Sequence, residues 1–103
     1  MRSLFVYILL CADGTYYTGV TNDVPKRLRE HEDAVNPHSY TARRLPVKLV
    51  YFEKFKGPYT AILAEKQLKK WSKKKKEALI NGELKLLPLL AKKDFSKKGP
   101  KKS

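Results

Sequence analysis

"TYYTGVTNDVPKRLREH", residues 15–31, places a strand, a turn and a helix start within one short stretch. The residues before it, LFVYILLC at 4–11, are apolar at both odd and even positions, which predicts a strand buried on both faces. Residues 12–14, ADG, predict a tight turn, because Gly14 is free to adopt a positive φ. Together the segments predict a β-hairpin that leads directly into a helix.

Helix-start signals follow the hairpin immediately. Asn22 or Asp23 can cap the first helix, and Pro25 fits its first turn, where the N–H that proline lacks would have no partner within the helix. We expect this helix to end near His31 or Glu32, before a polar and irregular loop.

The second half of the chain predicts one more strand and two more helices. Residues 46–55, PVKLVYFEKF, carry the β-branched and aromatic side chains typical of a strand. A Gly-Pro turn with a cap at Thr60 predicts the second helix, and Ser72 predicts the cap of a short third helix that ends at Asn81-Gly82. The expected fold class is α/β (α+β): a small three-stranded antiparallel sheet flanked by helices.

The length of 103 residues allows one domain with one modest core. We expect residues 1–82 to form this domain and residues 83–103 to form a basic, partly disordered extension. The single cysteine, Cys11, has no disulfide partner within the chain and fits a reducing compartment. The N-terminal apolar run is too short to span a bilayer, and no small-residue cleavage site follows it, so a cytoplasmic location without a signal peptide is expected.

The charge of the chain indicates its class of partner. Lysines and arginines number 23 against 10 acidic residues, for a net charge of +13. Such an excess attracts polyanions, so nucleic acid is the expected partner, ahead of an anionic membrane surface. A dense run of lysines on the last two predicted helices is typical of a phosphate-backbone track, although a solvated helix face is the alternative. The candidate nucleic-acid-binding residues are Lys26, Arg43, Arg44, Lys66, Lys69, Lys70, Lys73 and Lys74.

The register of the hairpin decides whether Tyr7 and Tyr17 can act together. With a two-residue loop, Tyr7 lies opposite Val20, and Tyr17 points to the other face of the sheet. With a three-residue loop, Tyr7 lies opposite Gly19, both phenols share one face, and the glycine leaves open space beside the phenol of Tyr7. We predict the three-residue loop. Ordinary core tyrosines are the alternative.

Arg27 and His31 lie four residues apart on the predicted first helix, so their side chains share one face. A guanidinium can hold phosphate oxygens in a fork, and an imidazole can move a proton near neutral pH. Lys26, Arg29 and Glu30 are expected to project elsewhere. The alternative is a solvated basic helix without a site.

Glu65 lies against the apolar stripe of the second predicted helix. Ala61, Ala64, Leu68 and Trp71 recur at helical spacing and form that stripe, and Glu65 stands four residues after the first of them. Ionised carboxylates are rarely buried unless they are paired or bind a metal. Glu65 is therefore a candidate metal ligand, and a rim carboxylate paired with a lysine is the alternative.

The order of these features resembles the GIY-YIG nuclease domain. Residues 5–7, FVY, stand where that family has its first tripeptide, and residues 17–19, YTG, stand where it has its second. The first glycine and both isoleucines are thus replaced, whereas both tyrosines and the final glycine remain. The resemblance covers roughly residues 3–82 and is greatest to the small stand-alone bacterial members.

The resemblance implies a metal-dependent endonuclease that hydrolyses phosphodiester bonds in DNA, including branched or damaged DNA. Tyr7 and Tyr17 would be the active-site phenols, Arg27 would hold the scissile phosphate, and His31 would assist proton transfer or orient a tyrosine. Glu65 would bind a single Mg²⁺ or Mn²⁺ ion. Two alternatives retain the fold without the chemistry: a non-catalytic nucleic-acid-binding module, and an RNA- or ribosome-associated basic protein.

Three further residues stay open on the sequence alone. Family members often carry an asparagine after the glutamate, and Asn81 is the candidate for it in this chain. His38 lies in the polar loop together with Tyr40. It can either reach the site or stand on the surface as an ordinary histidine.

Overall fold

A computed structural model describes residues 3–85. The extension expected at residues 83–103 therefore lies outside the described residues from residue 86 onward. A three-stranded antiparallel sheet with flanking helices is confirmed, and its strand order is β2-β1-β3. Within this part of the chain, no helix is long and apolar enough to cross a membrane. The elements are β1 (Leu4–Leu10), β2 (Tyr16–Thr21), α1 (Val24–Glu32), a 3₁₀ helix (Tyr40–Arg43), β3 (Lys48–Phe55), α2 (Pro58–Lys70) and α3 (Lys73–Ile80).

The hairpin has the three-residue loop, and its register is confirmed. The backbone N–H of Cys11 donates to the carbonyl of Thr15 at 2.8 Å, which closes the loop around residues 12–14. Gly14 has a φ of 86°, the left-handed conformation that this loop requires. Tyr7 therefore pairs with Gly19, and Tyr7 and Tyr17 point to the same face of the sheet.

Strand β1 is buried on both faces, as its unbroken apolar run predicts. Its even positions, Val6 and Ile8, pack with α2 and α3 in the larger core cluster. Its odd positions, Tyr7 and Leu9, pack on the opposite side with Leu28 of α1. The sheet thus separates a purely structural core from the face on which the polar residues of the hairpin and α1 meet.

Two helix caps follow the predicted chemistry. Asp23, one of the two candidates, caps α1 by accepting a hydrogen bond from the backbone N–H of Lys26 at 3.1 Å. Ser72 caps α3 by accepting one from the backbone N–H of Lys75 at 3.2 Å. These side chains satisfy amide groups that have no partner within their own helix, which fixes where each helix begins.

Two predicted element starts are wrong, by three residues for helix α2 and by two residues for strand β3. Helix α2 begins at Pro58 rather than after a cap at Thr60, because Gly57 takes the N-cap position with a φ of 117° that suits glycine. Strand β3 begins at Lys48 rather than at 46, since Pro46 has no N–H to offer to a sheet ladder.

Candidate active site

The hydroxyl of Tyr7 joins two side chains of α1. It makes a hydrogen bond of 2.9 Å with Nε2 of His31 and accepts a longer one, of 3.4 Å, from Nε of Arg27. Tyr7 is only 2% exposed and His31 is buried, whereas the side chain of Arg27 is 42% exposed. The four-residue spacing on α1 therefore brings the side chains of Arg27 and His31 to the hydroxyl of Tyr7. Of these two side chains, Arg27 is the one that is partly exposed to solvent.

Gly19 makes room for this arrangement. A Cβ atom built at residue 19 would lie 2.5 Å from the hydroxyl oxygen of Tyr7, closer than real side chains approach. The ring of Tyr7 thus crosses the backbone of β2 at the one position that lacks a side chain. Residue 19 is a glycine because there is no space for a side chain beside Tyr7, and not because the backbone has a positive φ.

Gly19→Ala is expected to reduce the free energy of unfolding by about 1–3 kcal/mol, the usual cost of overpacking. The ring of Tyr7 cannot retreat without leaving Arg27 and His31, so the NMR signals of the His31 ring should move as well. Urea denaturation and NMR measure the two effects.

A matched control for that variant is Gly82→Ala. Gly82 has a φ of 82° but nothing within 4 Å of its Cβ position, so its replacement carries only a conformational cost of about 1–2 kcal/mol. It should leave the His31 signals in place. Wild-type stability and unmoved signals in Gly19→Ala would contradict the close packing of Tyr7 on residue 19.

Burial keeps the phenol and the imidazole uncharged at neutral pH. Desolvation raises the pKa of Tyr7 to about 12, although the hydrogen bond and the charge of Arg27 act in the opposite direction. Desolvation, followed by the positive charge of Arg27, lowers the pKa of His31 below its usual value. A protonated phenol therefore faces a neutral imidazole, a donor that can give its proton to an acceptor.

Tyr17 is held by a separate set of contacts. Its ring stacks on Tyr40 with centroids 6.0 Å apart and packs edge-on against the ring of His31 at 5.1 Å. The guanidinium carbon of Arg44 lies over the ring of Tyr40, 3.8 Å from its centroid. Arg44 also forms an ion pair of 2.9 Å with Asp13 in the hairpin loop. Tyr40 thus belongs to the site.

These contacts change the expectation for Arg44. Its positive charge makes it a candidate nucleic-acid-binding residue. In the structure its guanidinium donates hydrogen bonds to the carboxylate of Asp13 and, at 2.7 Å, to the backbone carbonyl of Tyr40. Arg44 therefore braces the loop against the hairpin. The neighbouring Arg43 is exposed and makes no described side-chain hydrogen bond within residues 3–85.

Glu30 also differs from expectation, because it does not project away from Arg27. Its carboxylate lies 3.0 Å from Nη1 of Arg27, one helical turn earlier. The pair borders a cavity of about 490 Å³ that opens beside the hydrogen-bonded chain. The cavity is lined by Tyr17, Arg27, Glu30, His31, Val35, Asn36, Ser39 and Tyr40.

Glu65 lies on α2 and is not among the residues that line the cavity. Its side chain is 21% exposed, and its carboxylate forms an ion pair of 3.1 Å with Lys69. Its negative charge contributes to raising the pKa of Tyr7, so it lies within electrostatic range of the phenol. No group of three or more His, Cys, Asp or Glu residues gathers for a metal anywhere in residues 3–85. A lone carboxylate fits Mg²⁺, which commonly binds one or two carboxylates, several waters and substrate phosphates.

The remaining predicted residues lie on the surface. Asn81 is the exposed C-cap of α3, and His38 is exposed in the loop. Lys69 connects the lysine-rich surface to the site, because its ammonium group contacts Glu65. The other exposed lysines from the candidate set are Lys26, Lys66, Lys70, Lys73 and Lys74.

Comparison with known proteins identifies the family that the sequence resembles. A sequence model of the GIY-YIG catalytic domain matches residues 3–78. A UPF0213 protein of Natronomonas pharaonis is 44% identical over 79 residues, which cover 77% of this chain and 92% of that protein. A UPF0213 protein of Bacillus licheniformis is 46% identical over 79 residues, which cover 77% of this chain and 80% of that protein.

Two solution NMR structures share the fold. The structure of a UPF0213 protein from Bacillus halodurans has 38% sequence identity and a TM-score of 0.51, and covers 77% of this chain and 83% of its own. The structure of a protein from E. faecalis has 36% sequence identity and a TM-score of 0.55, and the match covers 82% of this chain and 91% of that protein. The range matched by the family model, residues 3–78, contains Tyr7, Tyr17, Arg27, His31 and Glu65. The chain therefore belongs to the GIY-YIG family of nuclease domains.

Proposed function

We propose that this chain is a divalent-metal-dependent endonuclease that hydrolyses phosphodiester bonds in DNA. The observation that carries the proposal is the hydrogen-bonded series Arg27–Tyr7–His31, which places a phosphate-binding group and a proton acceptor on either side of one phenol. Hydrolysis of a phosphodiester requires these two groups together, because charge develops on the phosphoryl oxygens while the attacking water loses a proton.

Arg27 is the phosphate-binding group in this proposal. Its two described hydrogen bonds use Nε and Nη1, which leaves Nη2 to approach a ligand in the adjacent cavity. A guanidinium is permanently charged and matches phosphate oxygens in a fork. The pairing with Glu30 holds the side chain in place before the substrate arrives.

The Tyr7–His31 pair accepts the proton of the attacking water. As the water oxygen bonds to phosphorus, its proton passes to the hydroxyl oxygen of Tyr7, and the proton of that phenol passes to Nε2 of His31. The bond from phosphorus to the leaving oxygen breaks, and solvent protonates that oxygen. Of the two hydrogen-bond partners of Tyr7, only Arg27 is partly exposed, so engagement of Arg27 by a phosphate would open the phenol to water.

Glu65 would hold the metal ion. When bound there, Mg²⁺ or Mn²⁺ would supply positive charge to the phosphoryl oxygens and the leaving group. The carboxylate of Glu65 is already partly desolvated and paired with a single lysine, which an incoming cation can replace. The hard oxygen donor suits these cations rather than a softer metal.

The exposed lysines of α2 and α3 would bind the DNA backbone. If about six lysines or arginines contact phosphates, the logarithm of the association constant should fall against the logarithm of salt concentration with a slope of roughly −5 on duplex DNA. Fluorescence anisotropy across a salt series measures the slope.

The matched variant for the salt series is Lys74→Ala. Lys74 is exposed on α3, so its loss should reduce the slope by about one unit and leave the cleavage rate at saturation unchanged. A slope near zero for the wild type would contradict the proposed lysine track.

The decisive experiment is a cleavage assay on end-labelled duplex, flap and single-stranded DNA. We expect cleavage with Mg²⁺ or Mn²⁺ and none in excess chelator. Arg27→Ala protein, purified in parallel, reveals any contaminating nuclease. Binding without cleavage of every substrate and with both metals would favour the binding module instead, and preferential binding of structured RNA would favour the RNA-associated alternative.

A further inference from the structure

Thr41 is a polar side chain sealed inside the molecule next to His31. It lies in the 3₁₀ helix and is 0% exposed. Its Oγ1 is 2.7 Å from Nδ1 of His31, the ring nitrogen opposite the one that contacts Tyr7. A hydroxyl can donate or accept, so the direction of this hydrogen bond is tied to which ring nitrogen of the neutral histidine carries the proton.

The donors along this series can be assigned from the hydrogen atoms. Arg27 can only donate, so Tyr7 accepts from it and keeps its own phenol proton for Nε2 of His31. Nε2 then carries no hydrogen, and Nδ1–H donates to Oγ1 of Thr41. The hydroxyl proton of Thr41 can point to Oγ of Ser39, 3.4 Å away at the edge of the cavity.

The reverse arrangement leaves a donor without a partner. If Thr41 donated to Nδ1, then Nε2–H of His31 would donate to Tyr7. Tyr7 would accept two hydrogen bonds, and its phenol proton would have no acceptor among the described residues, although the side chain is almost completely buried. An unsatisfied buried donor is unfavourable, so the first arrangement is preferred.

We infer that Thr41 is a positioning residue that holds His31 in the Nδ1–H tautomer and keeps Nε2 free to receive the proton of Tyr7. The consequence for cleavage rests on the proposed function, but the tautomer itself does not. Thr41 acts only through His31, because the imidazole stands between it and the phenol.

The tautomer can be read directly by long-range ¹H–¹⁵N correlation NMR of the histidine rings. The chain has two histidines, and His38→Asn removes the signals of the exposed one. In the wild type at pH 8, the signals should show Nδ1 protonated and Nε2 bare. In Thr41→Val, which keeps the shape but removes the acceptor, the population should shift to Nε2–H, whereas Thr41→Ser should keep the wild-type tautomer.

Cleavage gives the second readout. Thr41→Val should reduce the rate at saturation by about tenfold to a hundredfold, the range found when a histidine loses the partner that orients it. Thr41→Ser should restore most of the rate. Nε2–H in the wild type, or unchanged Nδ1–H in Thr41→Val, overturns the inference. If the wild type cuts no DNA, the NMR result still decides the role of Thr41, and only the proposed function fails.

Discussion

Arg27→Ala is expected to reduce the single-turnover rate of DNA cleavage by about a hundredfold or more at saturating protein. The guanidinium supplies charge where the phosphoryl oxygens become more negative, so its loss raises the barrier rather than only weakening binding. DNA affinity should fall much less, because the exposed lysines of α2 and α3 remain. Quenched-flow cleavage and anisotropy on the same labelled duplex measure the two quantities.

Two variants separate the site from simple charge. Arg29→Ala removes one positive charge from an exposed position of the same helix, and should leave the cleavage rate near that of the wild type. Arg27→Lys keeps the charge but loses both the fork and the Nε–H donor to Tyr7, so it should recover only part of the rate. Equal losses in Arg27→Ala and Arg29→Ala would mean that Arg27 is one cation among many.

The hairpin was predictable because its determinants are local. Residues 12–14 allow a two-residue or a three-residue loop, and in the three-residue loop that is observed Gly14 occupies the position that requires positive φ. Once the loop is fixed, pairing of Tyr7 with Gly19 and of Leu9 with Tyr17 follows without further information. The same locality explains why helical spacing correctly places Arg27 and His31 on one face.

Thr41 and Tyr40 could not be found in this way. Both lie in a short 3₁₀ helix whose sequence shows no helical or strand periodicity, and both reach the site through contacts with residues more than nine positions away. Sequence patterns describe which face a side chain takes within one element. They do not describe where an irregular segment returns, so the sequence alone leaves the role of Tyr40 open and does not single out Thr41.

Charge alone does not reveal the structural contacts of Arg44, for a related reason. A count of basic residues assigns each of them to a polyanionic partner, whereas the fold pairs this one with Asp13, 31 residues earlier. Glu30 shows the same limit at shorter range. Its three-residue spacing from Arg27 allows a contact, but no sequence pattern favours that contact over solvent.

Glu65→Gln is expected to lower the cleavage rate by about a hundredfold or more at a Mg²⁺ concentration that saturates the wild type. The amide keeps the shape of the side chain but removes the negative charge that would hold the cation, and a catalytic metal contributes several kcal/mol to the transition state. Part of the loss should be recovered at higher Mg²⁺. DNA binding measured in chelator should be unchanged, since the lysine surface is intact. Cleavage rates over a Mg²⁺ titration test all three expectations.

The control that gives this prediction its meaning is Lys69→Gln. Glu65 and Lys69 form an ion pair of 3.1 Å on α2, and an exposed pair of this kind contributes little to stability. If Glu65 acted only as the partner of Lys69, the two variants should behave alike, because each breaks the same pair. If Glu65 holds the metal, Lys69→Gln removes the competing cation and leaves the carboxylate, so it should cleave at a near wild-type rate with an equal or lower Mg²⁺ requirement. Matching losses in both variants would show that the carboxylate serves the ion pair and not the metal.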